Sequence, residues 1–150
     1  MIRTARYTDG PAISRLLDQL EYPGTEAFLP DKLRHMLEDP AETLLVWDAT
    51  VSAPADLPVP SEILGFLSLH FIPQLALPGD FARISYFAVD TTARSQGIGQ
   101  QMEEYATKLA REKGCELIEV HCHTRRIRAH GFYARQGYKE SPKYLIKRLK

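Results

Sequence analysis

The stretch Ala88-Val-Asp-Thr-Thr-Ala-Arg-Ser-Gln-Gly-Ile-Gly99 constrains this chain more than any other part. It reads as a strand running into a glycine-containing loop, and the loop opens directly into a long amphipathic helix. The first N–H groups of such a helix have no intrahelical partner, and the helix dipole adds partial positive charge there. Gly97 and Gly99 let bare backbone come close to a phosphate, and Arg94 adds a full charge. A diphosphate-bearing ligand suits this turn; a plain strand-to-helix turn softened by glycine is the alternative reading of the same residues.

Two familiar phosphate loops fit poorly. A nucleoside triphosphate loop has Lys and then Ser or Thr after its last glycine. Here Gln100, Gln101 and Met102 follow Gly99. The dinucleotide fingerprint has a small residue where Met102 stands, although Glu116 and Glu119 lie about where its acidic residue belongs. Too little chain follows Gly99 for the rest of a two-halved nucleotide sheet.

The chain has 150 residues, 44% of them hydrophobic, which suits one globular domain over 1–150 with a proper core. Its formal net charge is zero, so no general attraction to nucleic acid or membrane is expected. Charge is nevertheless uneven: Arg125, Arg126 and Arg128 cluster, and Lys143, Lys147, Arg148 and Lys150 crowd the tail. Cys115 and Cys122 fall on one expected strand, too far apart in an extended segment to bridge easily. A reduced, cytoplasmic chain follows. Neither a secretory leader nor a membrane-spanning run is visible.

Periodicity predicts the following elements. Ile2–Tyr7 alternates as a first strand. Asp9 caps a helix that has Pro11 in its first turn and Ile13, Leu16, Leu17 and Leu20 on one face. Asp31–Glu38 is a second short helix with Leu33, Met36 and Leu37 inward. Thr43–Asp48 is a strand, and 49–60, with Pro54, Pro58 and Pro60, is a loop. Ile63–Phe71 is a strand covered on both faces, and Arg83–Val89 is the next. A helix over Ile98–Lys113 turns Ile98, Met102, Tyr105, Ala106 and Leu109 to one side and stops at Gly114. Leu117–His123 is a strand, Arg128–Arg135 a short helix, and Tyr138 and Tyr144–Leu149 supply a final strand pair. The class is α/β with a mixed sheet.

The loop Arg94-Ser95-Gln96-Gly97-Ile98-Gly99, the strand end Phe87-Ala88-Val89 before it, and the later Ala129-His-Gly-Phe132-Tyr133-Ala-Arg-Gln-Gly137-Tyr138 together resemble the GNAT superfamily of N-acetyltransferases, in the family's own order. The resemblance implies a mostly antiparallel central sheet flanked by helices, with a splayed strand pair that holds coenzyme A. Its co-substrate would be acetyl-coenzyme A, with no metal. Phe87, Ala88, Val89, the loop from Arg94 through Gly99, Gln100, His123, Ala129, Phe132 and Tyr133 would line that cofactor. The acceptor would be a primary amine of a small molecule, attacked in a ternary complex. The run His121-Cys-His123-Thr-Arg125-Arg126-Ile-Arg128 resembles, within the superfamily, a subgroup that includes aminoalkylphosphonate and small-amine acetyltransferases. Dimers are common in the superfamily, which makes a homodimer an assembly to test.

Holding both reactants together could supply up to about 7–11 kcal/mol of the barrier. A main-chain N–H near Val89 facing the thioester oxygen would be worth about 3–4 kcal/mol. Tyr133 is the candidate general acid, because a tyrosine offers a proton that phenylalanine cannot; packing of Phe132-Tyr133 against the sheet is the other use of the pair. Many members carry a glutamate on the central strand. Arg83-Ile-Ser-Tyr-Phe-Ala-Val has no carboxylate, and Tyr86 stands about where one is expected. An alkylamine is mostly protonated at neutral pH, a handicap of roughly 4–5 kcal/mol. His70 and His121 are candidate bases, with a water chain as the alternative. The arginines have three uses open to them: solvated charge, the coenzyme's phosphate, or an anionic group on the substrate. His123 replaces a usual asparagine and would hydrogen-bond similarly. Ser95 replaces a common glycine, which a negative φ would accommodate. A coenzyme A-binding regulatory or interaction protein without turnover, or acetylation of a protein or peptide amine, are the competing functions.

Overall fold

The structure, a computed structural model, describes residues 1–52, 62–141 and 144–150. Most of the 49–60 loop expectation and Lys143 lie outside the described residues. The elements in chain order are β1 (Ile2–Thr4), α1 (Gly10–Gln19), α2 (Leu29–Glu38), β2 (Glu42–Asp48), β3 (Ile63–Ile72), β4 (Phe81–Val89), α3 (Ile98–Glu112), β5 (Leu117–Val120) and α4 (Ile127–Arg135). The strands form one sheet in the order β1-β2-β3-β4-β5. The first three neighbouring pairs are antiparallel and β4 pairs β5 in parallel, a connection that needs a crossover, here α3. This is the expected mixed, mostly antiparallel α/β architecture.

Period-2 alternation in β2 sends Leu44 and Val46 to one face and Leu45 to the other, and both faces are covered. On one side Ile13, Leu16 and Leu17 of α1 and Leu29 and Leu33 of α2 close over Leu44, Val46 and Phe66. On the other, Ile98, Met102, Ala106 and Ala110 of α3 close over Leu45, Leu67, Leu69 and Ile84. Each fully buried Leu or Ile contributes about 1.5–3 kcal/mol.

Four expectations need correction. The first strand stops at Thr4, short of the expected Tyr7, where a 3-10 turn over Tyr7–Asp9 begins. Asp9 stands at the N-cap of α1, but its side chain makes no cap bond. It accepts instead from Arg3 at 2.8 and 3.0 Å and from the Arg6 N–H at 2.7 Å. Tyr105 is exposed, and the α3 position that is buried alongside the apolar stripe is Glu103. Its carboxylate accepts the Thr107 and Tyr138 hydroxyls at 2.6 and 3.0 Å. The final strand pair is absent among the described residues: Tyr138 and 144–150 join no ladder, and Leu145, Ile146 and Leu149 are exposed.

Candidate active site

The site begins where β4 and β5 part. Their ladder runs Phe81↔Leu117, Ala82↔Ile118, Arg83↔Glu119, Ile84↔Val120, and then stops. β4 continues to Val89 with β3 on one side and, among the described residues, no strand on the other. Main-chain donors and acceptors along Ser85–Val89 are thereby left open on that edge, as on any edge strand. The Leu117–His123 strand expectation is too long for this reason: past Val120 no partner remains, and His121, Cys122 and His123 leave the sheet. At the fork, Arg83 Nε donates to Glu119 Oε1 at 2.6 Å and ties the two strands together.

A bulge sits at the same place. The β3–β4 register shifts between Leu69↔Ile84 and Ser68↔Tyr86, leaving Ser85 as the extra residue. A bulge turns two consecutive side chains to one face. Ser85 and Tyr86 accordingly both line the gap, and both are exposed. The gap is a cavity of about 340 Å³, walled by Tyr22, Ser85, Tyr86, His121, Arg126 and Tyr133 among others. That volume suits a small ligand.

At the far end of β4 the loop into α3 is held from below. Asp90 accepts the Thr92 N–H at 2.9 Å and the Thr92 hydroxyl at 2.7 Å, and pairs with Arg15 of α1. These bonds, the Thr92 backbone N–H foremost, hold its carboxyl well below the usual range. Gln19 accepts the Thr91 N–H at 3.0 Å. α1 therefore fixes the loop, whose outer residues Arg94–Gly97 are exposed. Gly97 takes φ 79°, a left-handed conformation suited to glycine, and no side chain caps α3. The first N–H groups of the helix are free for an anion. Arg94 makes no ion pair among the described residues.

Ser95 departs from expectation. It has φ 67°, not the negative φ that a serine prefers, because the chain must reverse there to deliver Gly97 to the helix start. A left-handed non-glycine costs about 1–2 kcal/mol. Ser95→Gly releases that strain but adds unfolded-chain entropy worth about 0.4–1 kcal/mol. The expected net gain is about 1 kcal/mol or less, a rise of about 2–4 °C at most in the thermal midpoint. Ser95→Val should lower the midpoint instead, since a β-branched side chain fits that conformation worst.

α4 closes the other wall. Phe132 meets Phe87 edge-on with ring centroids 5.8 Å apart, and a side chain at Gly99 would come within 3.4 Å of its ring. Phe87, Val89, Gly99 and Phe132, drawn from three separate segments, thus converge. Tyr133 lines the cavity and meets Phe132 and Tyr138 edge-on at 5.2 and 5.3 Å. Burial, and then the neighbouring Cys122 thiol, push its phenol pKa up, so it stays protonated. His123 anchors the start of α4: its Nδ1 accepts the Arg125 N–H at 3.1 Å and its carbonyl accepts from His130 at 2.8 Å. Ala88 is buried, which leaves only its main chain to meet a ligand, whereas Ala129 is half-buried and Gln100 is exposed, bonded to Glu104.

The histidines separate. His121 lies in the cavity wall with its ring 4.5 Å from that of Tyr144. His70 is one strand further in, on β3, against Ser85 and Glu42. Of the arginines, Arg125 pairs with Glu21 at 2.9 Å, whereas Arg126 and Arg148 line the cavity with no ion pair among the described residues. Arg128 is exposed away from it. Sequence reasoning missed Ser85, Tyr22 and Glu21 as wall residues. Two consecutive polar or aromatic residues within an otherwise alternating strand, Ser85-Tyr86, are the mark a bulge leaves in sequence. Cys115 and Cys122 are both free.

Comparison with known proteins agrees with this geometry. The model of the acetyltransferase (GNAT) family matches residues 12–138. An aminoalkylphosphonate N-acetyltransferase of Salmonella typhimurium is 38% identical over 80 residues, 53% of this chain and 52% of that protein. The match therefore spans about half the length of that curated relative. Among solved structures, a protein of Bacillus halodurans C-125 described as a transcriptional regulator superposes with TM-score 0.81 at 25% identity, over 99% of both chains. Glucosamine-6-phosphate N-acetyltransferase from Arabidopsis thaliana superposes with TM-score 0.82 at 17% identity, over 100% of this chain and 98% of that one, a likeness of fold. With the forked strands, the uncapped α3 and the matched span together, the chain belongs to the GNAT family of acetyltransferases.

Proposed function

We propose that residues 1–150 form one domain that moves the acetyl group of acetyl-coenzyme A to a primary amine of a small molecule, by direct attack in a ternary complex. The observation that carries this reading is the end of the β4–β5 ladder at Ile84/Val120. It opens a strand edge of pantetheine-like reach between the uncapped helix α3 and Tyr133. Arg94 and the N–H groups from Gly97 onward take the diphosphate, while the open edge of Ser85–Val89 pairs with the arm as an added strand would. Phe87, Gly99 and Phe132 form the apolar floor. Tyr133 donates to the departing sulfur, and His121 and His70 are the residues assigned to proton removal.

Arg126 and Arg148 favour an acceptor that carries an anionic group beside its amine, since a guanidinium fork suits phosphonate or carboxylate. The partial match to an aminoalkylphosphonate acetyltransferase supports the same class. Among the described residues no helix is long and apolar enough to cross a membrane. A cytoplasmic location and a homodimer complete the proposal, the exposed Leu145, Ile146 and Leu149 offering apolar surface to a second copy.

Calorimetry with acetyl-coenzyme A tests the binding half. The parent should give saturable heat, and Arg94→Ala should weaken binding about tenfold, the loss of about 1.4 kcal/mol from one charge-assisted contact. No heat from either acetylated or free coenzyme would sink the reading. Thiol release with a panel of primary amines, aminoalkylphosphonates included, tests the transfer half. Binding without turnover on the whole panel would favour a regulatory coenzyme A-binding protein.

A further inference from the structure

We infer that Glu42, His70 and Ser85 form a proton relay, in which Ser85 takes the proton from the acceptor ammonium and passes its own to His70. The inference rests on the acetyltransferase reading above and names the group that serves as base. The three residues come from three adjacent strands. Glu42 on β2 is the register partner of His70 on β3, and His70 is the register partner of Arg83 on β4, two residues before the bulge. Glu42 Oε2 contacts His70 Nδ1, and His70 Nε2 contacts Ser85 Oγ. Ser68 Oγ lies 3.4 Å from the same Nε2. The order carboxylate, imidazole, hydroxyl leads from the sheet interior to the cavity wall, which Ser85 reaches and His70 does not.

The buried oxygen sets the direction of the chain. Glu42 Oε2 is inaccessible and, among the described residues, has no hydrogen-bond partner beyond this imidazole contact. A buried carboxylate oxygen left unsatisfied is costly, so Nδ1 carries the hydrogen. In the neutral ring Nε2 is then the acceptor, and Ser85 donates to it. The serine oxygen keeps its lone pairs for a donor in the cavity, such as an ammonium. The bulge is what makes this work. Without the extra residue, no β4 side chain between Arg83 and Tyr86 would face both His70 and the gap. The charged neighbours of His70 are Glu42 from β2 and, from β4, Arg83, which is neutralised by Glu119 of β5.

The proton count closes. The acceptor ammonium gives one proton to Ser85 Oγ as Ser85 gives its own to His70 Nε2, and Glu42 stabilises the imidazolium. The freed lone pair forms the C–N bond, and the C–S pair returns to sulfur, which takes a proton from Tyr133. The new amide nitrogen sheds its second proton, which restores Tyr133. The imidazolium returns the first proton to solvent. Ser85 is the relay member that touches substrate; His70 and Glu42 act through it.

The test compares His70→Gln, Ser85→Ala and Glu42→Gln with the parent on two acceptors. One is a basic alkylamine, ammonium at neutral pH; the other is a weakly basic amine, such as a hydrazide, already unprotonated there. At neutral pH His70→Gln and Ser85→Ala should lower kcat/KM for the alkylamine about 10²-fold, the size of acid–base assistance. The deficit should shrink toward about pH 10, where the alkylamine deprotonates by itself. Turnover of the weakly basic amine should fall less than about threefold, and Ser85→Thr should restore most of the alkylamine rate. Equal losses on both amines at every pH would reveal a packing role and overturn the relay, as would unchanged rates on both. If the parent itself turns over neither amine, the acetyltransferase reading fails first, and the two failures remain distinct.

Discussion

Tyr133→Phe lowers kcat for acetyl transfer about 10²-fold, at the low end of the 10²–10⁴ range for acid–base assistance, and leaves the fold intact. The low end is expected because an ideal catalytic acid titrates near the working pH, whereas burial pushes this phenol further up. It therefore assists as a hydrogen-bond donor with late proton transfer more than as a freely exchanging acid. The hydroxyl makes no hydrogen bond within the protein among the described residues. The ring contacts with Phe132 and Tyr138 survive in phenylalanine. Thermal midpoints of variant and parent should match within about 2 °C, the shift produced by well under 1 kcal/mol. Coenzyme binding measured by calorimetry should be nearly unchanged, since the group acts on a sulfur that has begun to leave. A kcat within about threefold of the parent would remove Tyr133 from the mechanism. The pH profile adds a sign: with the phenol neutral throughout, Tyr133 contributes no alkaline limb below about pH 10.

Arg3→Met should destabilise the protein by about 3–5 kcal/mol, a large share of the 5–15 kcal/mol typical of a domain. The Arg3 guanidinium bridges Asp9 and Asp48 at 2.8 Å each, and their side chains are 1% and 6% exposed. Removing the cation leaves two nearly inaccessible carboxylates facing each other. Urea denaturation measures the loss, and its pH dependence gives a signature that simple packing damage would lack. In the parent, burial pushes both carboxyls up, but the hydrogen bonds together outweigh it and leave their pKa values below normal. Groups of this kind add stability that is present above about pH 4 and is lost as pH falls through their folded values. In the variant the Arg6 N–H still holds Asp9 and the Thr50 N–H and hydroxyl still hold Asp48, but the guanidinium no longer helps to offset burial, so the depression of both carboxyls shrinks. The slope should then flatten, so that Arg3→Met loses less stability than the parent as pH falls from neutrality through about pH 4. A variant that keeps the parent's slope would show that the ionic cluster contributes little.

The strand–loop–helix turn into α3 was legible because its pattern is local: glycine, a cation and a helix start lie within a dozen neighbours. The helices and strands around it were legible because both sheet faces are covered, so the runs in β2 and β3 are mostly apolar. The strand ends were not. Val120 ends its strand for want of a partner, and partners are a property of the whole sheet; Thr4 ends its strand ahead of the turn at Tyr7–Asp9. His121 and His123 keep a period-2 pattern with Glu119 in sequence, yet β4 has already diverged. Asp9 is at the position of a helix cap, and its carboxylate goes to Arg3, which periodicity does not see. Glu103 sits on the inward side of α3 because two hydroxyls meet it there, one from a residue far along the chain. The cluster of Glu42, His70 and Ser85 was the least legible of all. A missing carboxylate on one strand is visible in sequence, but a serine, a histidine and a glutamate on three strands become neighbours only through register and a single bulge.

That supernumerary residue also bears on how such proteins diversify. Ladder registration on either side of Ser85 is maintained by Ile84 and Tyr86 with their own counterparts, so the intervening position has no register partner of its own and meets the sheet through His70. Exchanging its side chain alters what an incoming molecule encounters without asking the hydrocarbon layers beneath to rearrange. Selection can therefore retune chemistry at this point almost independently of thermodynamic robustness, a freedom that a regular strand would deny.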